Sequence, residues 1–444
     1  MRNEKYDVDY RFNFSPEKLC SCGKRHNVKT PELILENGAI DRLKKLIPQY
    51  GATKIFLLSD KNTEKVAGVR VENLIEELSI PYVKCVYQED SLAPNEYAVG
   101  RAIMYYENTC DLIIAVGSGV LNDIGKIVAA KAKQAYFIVA TAPSMDGYAS
   151  ATSSMERDGL KVSLPSRCAD VIIGDIDILK NAPLQMLQAG LGDMIAKFIS
   201  IAEWRIAKVI IGEYYCEEIA EQVRLSLKKC INNASGLIQR NEESVKAVFE
   251  GLVLCGKAMA YAGCSRPASG VEHYFSHIWD MRGLEFGLSV DLHGLQCARA
   301  TYIVAKLYDK LLSVTPDKER ALSYVRAFDY NVWAEKLKTF LGKGANTMIA
   351  LELKENKYDK KKHAARVNRI INNWQEILTI VREEIPKPLE IEKIFRLAGM
   401  EKYLVFQDDK ETHMVLQATK DIRDKYVLSR LLWDLGIIED ITFE

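Results

Sequence analysis

The chain has 444 residues, and its 60 Lys and Arg balance 60 Asp and Glu to a formal charge of zero. Apolar residues at 48% and charged residues at 27% exclude wholesale disorder, and the length supports two or three domains with ample core. A zero net charge disfavours a general nucleic-acid or anionic-membrane binder, whose affinity draws on excess Lys and Arg, and points to a small-molecule site.

The stretch Met1–Phe12 is charged and has no apolar h-region, so it is not read as a secretory signal. No apolar run approaches the ~20 residues of a membrane helix, and a cytoplasmic protein without a membrane span is expected. The ten cysteines are scattered, mostly in apolar stretches, as reduced thiols would be. The exception is the loop-like Cys20-Ser-Cys22-Gly-Lys-Arg-His26. Two thiolates and an imidazole can hold zinc, but a structural site takes four ligands and no fourth is obvious; a redox pair and plain turn residues are the other readings.

From Thr53 to Gly174, β-rich runs alternate with helical ones. Strands are expected at Lys54–Ser59, Tyr82–Tyr87, Asp111–Val116, Tyr136–Ala140 and Asp170–Ile173. Helices are expected at Val71–Leu78, Asn95–Asn108 and from Gly119 to Lys133. Nearly continuous apolar strands in β–α–β order predict a parallel sheet covered on both faces. After Asn181-Ala-Pro183, helical periodicity takes over: Gly190–Glu203, Glu213–Asn232, Glu243–Ala262, the segment around His273, Gly294–Leu312 and Asp421–Leu435. The expected domains are therefore an α/β nucleotide-binding domain over residues 1–182 and a helical metal- and substrate-binding domain over 183–444. The basic run Glu355–Arg366 reads as a solvated face.

Four motifs carry chemistry. Strand Asp111–Val116 runs into Gly117-Ser118-Gly119-Val-Leu-Asn122-Asp123, where a glycine turn opening a helix lets the backbone approach a pyrophosphate. Asn122 stands where a third glycine would complete the nucleotide fingerprint, so a purely steric turn is the rival reading. Asp60, just past the first strand, can accept from a ribose hydroxyl or equally cap a helix. The loop Thr141-Ala-Pro-Ser144-Met-Asp146-Gly-Tyr-Ala-Ser150 offers hydroxyls and a carboxylate at a strand's C-terminal end. In the helical half, Asp193 and Lys197 stand at i and i+4, His273 and His277 likewise, and His293 lies beyond. Three of the six histidines fall in this window. One Asp and two His around an open position suit a divalent metal such as zinc, iron or nickel, against the plainer reading of hydrogen-bonded core histidines.

The motifs GSGVLND, TAPSMDGYASATSS, LGDMIAK, SGVEHYFSH and the later HG resemble, in order and context, the sn-glycerol-1-phosphate dehydrogenases. These belong with the dehydroquinate synthases, glycerol dehydrogenases and iron-type alcohol dehydrogenases. The resemblance runs from about Asn37 to Lys420–Val427. It implies a Rossmann-like domain followed by a helical one, NAD or NADP, one divalent metal ion, a small phosphorylated substrate and a homodimer. It makes Asp193, His273 and His293 metal ligands and turns His277 and Asp146 to the substrate, with Asp193 and His277 catalytic. It assigns Gly117, Ser118, Gly119, Asn122, Asp123, Thr141, Ser144 and Ser150 to the nicotinamide cofactor and Asp60 to the adenosine ribose. Iron-type alcohol dehydrogenases typically carry histidine four residues after the ligand Asp, where this chain has Lys197; dehydroquinate synthases use Glu where it has Asp193. A lysine there suits a phosphate, or makes a structural ion pair. Oxidation of an unphosphorylated polyol, and a nucleotide sensor with a vestigial metal site, remain as rival functions.

Overall fold

Four of the apolar runs become the buried middle of one parallel sheet. In the computed structural model, which describes residues 14–15, 17–405 and 409–443, the strands are β1 (Glu32–Glu36), β2 (Ile55–Asp60), β3 (Tyr82–Tyr87), β4 (Leu112–Gly117), β5 (Ala135–Ala140), β6 (Thr152–Arg157), β7 (Leu160–Pro165) and β8 (Val171–Asp175). Met1–Phe12 lies outside the described residues. The sheet order is β1-β8-β5-β4-β2-β3, all parallel, with β6 and β7 forming a separate antiparallel hairpin. β2, β4, β5 and β8 are interior and almost wholly buried, as their unbroken apolar sequences require; β1 and β3 are the half-exposed edges. Both β1 and the hairpin are additions to the expected strand set. The hairpin turns at Asp158-Gly159, both at positive φ, as a tight two-residue turn demands.

The chain divides into two compact units. The first holds the described residues up to Met194 together with Glu221–Cys264; the second holds Ile195–Ala220 and the described residues from Ser265. The expected change of texture at Pro183 is present as secondary structure, since every described element after β8 is helical. The units divide elsewhere, because the helix Glu242–Ala262 packs back on the α/β part. Its Phe249 lies over Gly174 of β8, and its Gly256 lies against Asp146 and Ala149.

In the second unit, helices Lys197–Ile211, Val271–Phe286 and His293–Leu311 share a core with those further along the chain, through Ile199, Phe275, Ile303, Leu337, Ile377 and Leu431. Asp317, Asp329 and Asp359 each accept backbone N–H groups at a helix start, which explains where three of those helices begin. The helix expected over Asp421–Leu435 begins only at Leu428, whose N–H is taken by the buried Glu203. No described helix is long and apolar enough to cross a membrane.

Candidate active site

Parallel pairing sets the first half of the site. Gly117 of β4 pairs with Ala140 of β5, and Asp60 ends β2 on the other side of β4, so the glycine turn, the Thr141–Ser150 loop and Asp60 leave one edge of the sheet together. The Thr141 N–H donates to the Gly117 carbonyl at 3.1 Å, extending the ladder into the loop. Ser118 stands at the start of helix Gly119–Ala132 without a side-chain cap, and a helix start of this kind can receive an anion. The Asp60 Oδ1 accepts from Asn62 and Thr63 N–H, both at 2.8 Å, so this carboxylate does cap a helix.

Several hydroxyl and amide groups of the loop set are bound to one another. Asn122, fully buried, donates to the Gly147 carbonyl at 3.2 Å and accepts from the Tyr136 hydroxyl at 3.2 Å. Ser150 is buried with its Oγ 2.9 Å from the Thr152 carbonyl. Asp123 ion-pairs with Lys126 at 2.8 Å and accepts from the Ser154 N–H of the hairpin. Lys126 is the hub: its buried Nζ also reaches the carbonyls of Gly147 and Thr152 and the Ser150 hydroxyl. Ser144 is half-buried, and its N–H donates to the Ala142 carbonyl. Asp193, on helix Leu184–Ile195, is fully buried and accepts the Asp146 N–H at 2.9 Å, which fixes the loop's carboxylate residue beside it.

The histidines form their own cluster in the second unit. His273 and His277 lie on helix Val271–Phe286, and His293 opens helix His293–Leu311. The His293 ring centroid lies 5.1 Å from that of His273 and 6.1 Å from that of His277. Glu272 Oε1, fully buried, sits 2.7 Å from His273 Nδ1; because a carboxylate accepts, the proton is on Nδ1 and the lone pair on Nε2. Ser276 Oγ lies 2.8 Å from His293 Nδ1. Cys297, one turn beyond His293, brings its Sγ to 3.6 Å from His293 Nε2, and ligand atoms of His273, His293 and Cys297 all lie within 4.8 Å of one another. Burial pushes the Cys297 thiol up, but the neighbouring His273 and His293 outweigh it and hold the thiol below its ordinary range. Lys197 does not share a helix with Asp193: one helix ends at Ile195 and the next opens at Lys197. Its buried Nζ donates to the Ala268 carbonyl at 3.1 Å.

Glu203 pins this cluster from behind. It accepts from the Val271 N–H at the start of the His273 helix, from the Leu428 N–H, both at 2.8 Å, and from the Tyr308 hydroxyl at 3.2 Å. Burial and the Glu272 charge push its carboxyl up to about 8, against the pull of those N–H donors. The folded state therefore holds a proton that the unfolded chain gives up near the ordinary ~4.3. This residue's contribution to stability falls as pH rises from about 4 to about 8, by at most about 1.4 kcal/mol per pH unit. Urea denaturation of wild type and Glu203→Gln across that range checks it: the variant's stability should fall less steeply with pH, and parallel curves would refute the assignment.

Sequence reading missed Lys126, Glu203, Glu272 and Cys297. Each had a signal: Lys126 and Glu203 are charges inside apolar helical runs, Glu272 adjoins His273, and Cys297 is at i+4 from His293.

Residues 34–183 match the family of iron-containing alcohol dehydrogenases. The chain is 31% identical over 293 residues to a glycerol-1-phosphate dehydrogenase (NAD(P)+) of Halalkalibacterium halodurans, spanning 65% of this chain and 73% of that protein. It is 33% identical to the enzyme of that name from Hyperthermus butylicus, over 64% of this chain and 80% of the relative. Among solved structures, a probable glycerol dehydrogenase from Sinorhizobium meliloti 1021 shares the fold, with a TM-score of 0.56 at 16% identity over 94% of this chain and 99% of that one. The chain belongs to the glycerol-1-phosphate dehydrogenase family.

Proposed function

We propose that the chain reduces dihydroxyacetone phosphate reversibly to sn-glycerol 1-phosphate with NADH or NADPH, and that Asp193, His273 and His293 hold one divalent metal ion, zinc, nickel or iron. The observation that carries this is the outer-sphere bonding of two histidines. Glu272 and Ser276 lie against Nδ1 of His273 and His293, so a metal would take each ring through Nε2, with a polar partner on the far nitrogen as in metal-ligating histidines. Two imidazoles and a carboxylate form a donor set that fits such an ion. When bound, the ion supplies Lewis acidity toward the ketone oxygen and the nicotinamide supplies hydride.

The chain's own residues do the rest. The glycine turn and the helix start at Gly119 receive the cofactor's pyrophosphate through backbone N–H groups, with Thr141, Ser144 and Ser150 lining the adjacent loop. Asp60 and the substituents around it serve the adenosine ribose. As hydride adds to the carbonyl carbon, its oxygen gains a proton, and His277 delivers it, directly or through a water. Asp146 orients the substrate hydroxyls. None of the ten cysteines is in a disulfide, which suits a reducing, cytoplasmic setting, and we read the functional unit as a homodimer.

Lys197 has two roles to choose between. The ammonium can anchor the substrate phosphate; its bond to the Ala268 carbonyl favours a role in holding that loop. One assay tests function and residue together: NADH oxidation with dihydroxyacetone phosphate and with unphosphorylated dihydroxyacetone. Wild type should strongly prefer the phosphorylated ketone, equal use would indicate a polyol dehydrogenase, and no oxidation of NADH would indicate a sensor. A phosphate anchor requires that Lys197→Ala raise KM for the phosphorylated ketone alone, by about 10–100-fold, the value of a charged hydrogen bond. Equal losses on both ketones would leave Lys197 a structural role.

A further inference from the structure

The segment Cys20–His26 takes no part in the proposed catalysis. It forms a tight turn in which the Gly23 N–H donates to the Cys20 carbonyl at 2.9 Å and the Cys20 N–H to the Lys24 carbonyl at 3.0 Å. Gly23 takes φ +82°, a conformation that other residues rarely adopt. The turn brings ligand atoms of Cys20, Cys22 and His26 within 4.8 Å of one another. Cys20 and His26 are buried, although the residues around them are exposed.

The imidazole is oriented as a ligand would be. His26 Nδ1 lies 2.9 Å from the Tyr261 carbonyl, an atom that can only accept, so the proton is on Nδ1 and the lone pair on Nε2. That Nε2 lies 3.4 Å from Cys22 Sγ. Tetrahedral zinc with Zn–S of ~2.3 Å and Zn–N of ~2.0–2.1 Å separates sulfur and nitrogen by about 3.6 Å, close to the observed spacing. A backbone carbonyl on the far ring nitrogen is the usual second partner of a ligating histidine. Phe14 covers the ring at 4.2 Å between centroids and meets Tyr261 at 5.0 Å, which shields one side.

We propose that Cys20, Cys22 and His26 bind a structural zinc ion, separate from the catalytic metal, that staples the N-terminal segment to the last turn of helix Glu242–Ala262 at Tyr261. Binding displaces the thiol protons, so two thiolates and one neutral imidazole face the ion, with a fourth donor completing the tetrahedron.

The test compares wild type with a Cys22→Ser/His26→Ala double variant, both purified and loaded with zinc. Wild type should carry one zinc equivalent more by elemental analysis. Loaded with cobalt(II) instead, it should show a sulfur-to-cobalt charge-transfer band that the variant lacks. The variant should keep most NADH-oxidising activity and melt several degrees lower. Cys22→His, which keeps a donor, should retain the extra zinc and serves if the double variant fails to fold. Serine substitution of the remaining cysteines identifies the fourth donor if it is a thiolate. Equal zinc content in wild type and the double variant would overturn the proposal, as would a sulfur-to-cobalt band kept by both variants, zinc-loaded wild type with no equivalent beyond the catalytic one, or Cys20 and Cys22 found disulfide-linked in zinc-free protein.

Discussion

A His273→Ala variant is expected to lose its catalytic metal and its activity together while remaining folded. Losing an outer-sphere partner of a ligand typically costs about 10–100-fold in metal affinity or activity, so losing the ligand should leave less than about 1% of wild-type turnover. The fold should survive because the helix does not depend on this ring. Glu203 still accepts the Val271 N–H, and Glu272 Oε1 still accepts the Gly270 N–H at 2.7 Å. Removing the ring also lifts a hydrogen bond from a buried carboxylate, so a modest fall in melting temperature is expected alongside. The companion Glu272→Gln keeps the ring but weakens its hold on Nδ1, and should fall between the two. Metal content, far-ultraviolet circular dichroism and NADH oxidation on the same samples decide the matter. A metal-free His273→Ala protein with full activity would remove His273 from the ligand set.

How much of this was legible depends on the range of the physics involved. β2, β4, β5 and β8 could be read because a strand buried on both faces must be apolar along its length, a purely local signal. β1 escaped because an edge strand of five residues, with Glu at both ends, need not be apolar. The β6–β7 hairpin carried its clearest signal in two residues, Asp158-Gly159, after a strand β6 that is largely polar. Helical periodicity located Glu242–Ala262 within a residue but says nothing of which unit a helix joins; that is decided by Phe249 and Gly256 meeting residues about 75 to 110 positions earlier. The histidines stood out by scarcity. The carboxylates behind them stood out less, since Glu is common and the nearly complete burial of Glu203 and Glu272 is set by long-range packing that only faint local signals announce.

Gly190→Ala should be among the most disruptive single changes in the first unit, although it adds one methyl group. A Cβ at Gly190 would lie 1.9 Å from the Pro143 carbonyl oxygen and 2.9 Å from Val248 Cγ1. A side chain can swing away from such a contact, but a carbonyl in the backbone of a loop can yield only if the loop moves. This loop is held hard: Tyr148 donates from its hydroxyl to the Ala142 carbonyl at 2.6 Å, Lys126 grips Gly147, and Asp193 takes the Asp146 N–H. Inserting a methyl into such packing costs about 1–3 kcal/mol, occasionally more, and the strain falls on residues proposed to line the cofactor site. The expected result is a melting temperature lower by several degrees together with a raised KM for NADH, both from displacement of the Thr141–Ser150 loop. Gly100→Ala is the control. It lies within helix Glu96–Tyr105 with nothing within 4 Å of the added carbon, so it should stabilise by about 0.5–1 kcal/mol and leave the kinetics alone. If Gly190→Ala matched wild type in both melting and KM, the close approach of helix and loop would be wrong, and with it the claim that this helix positions Asp146 beside Asp193.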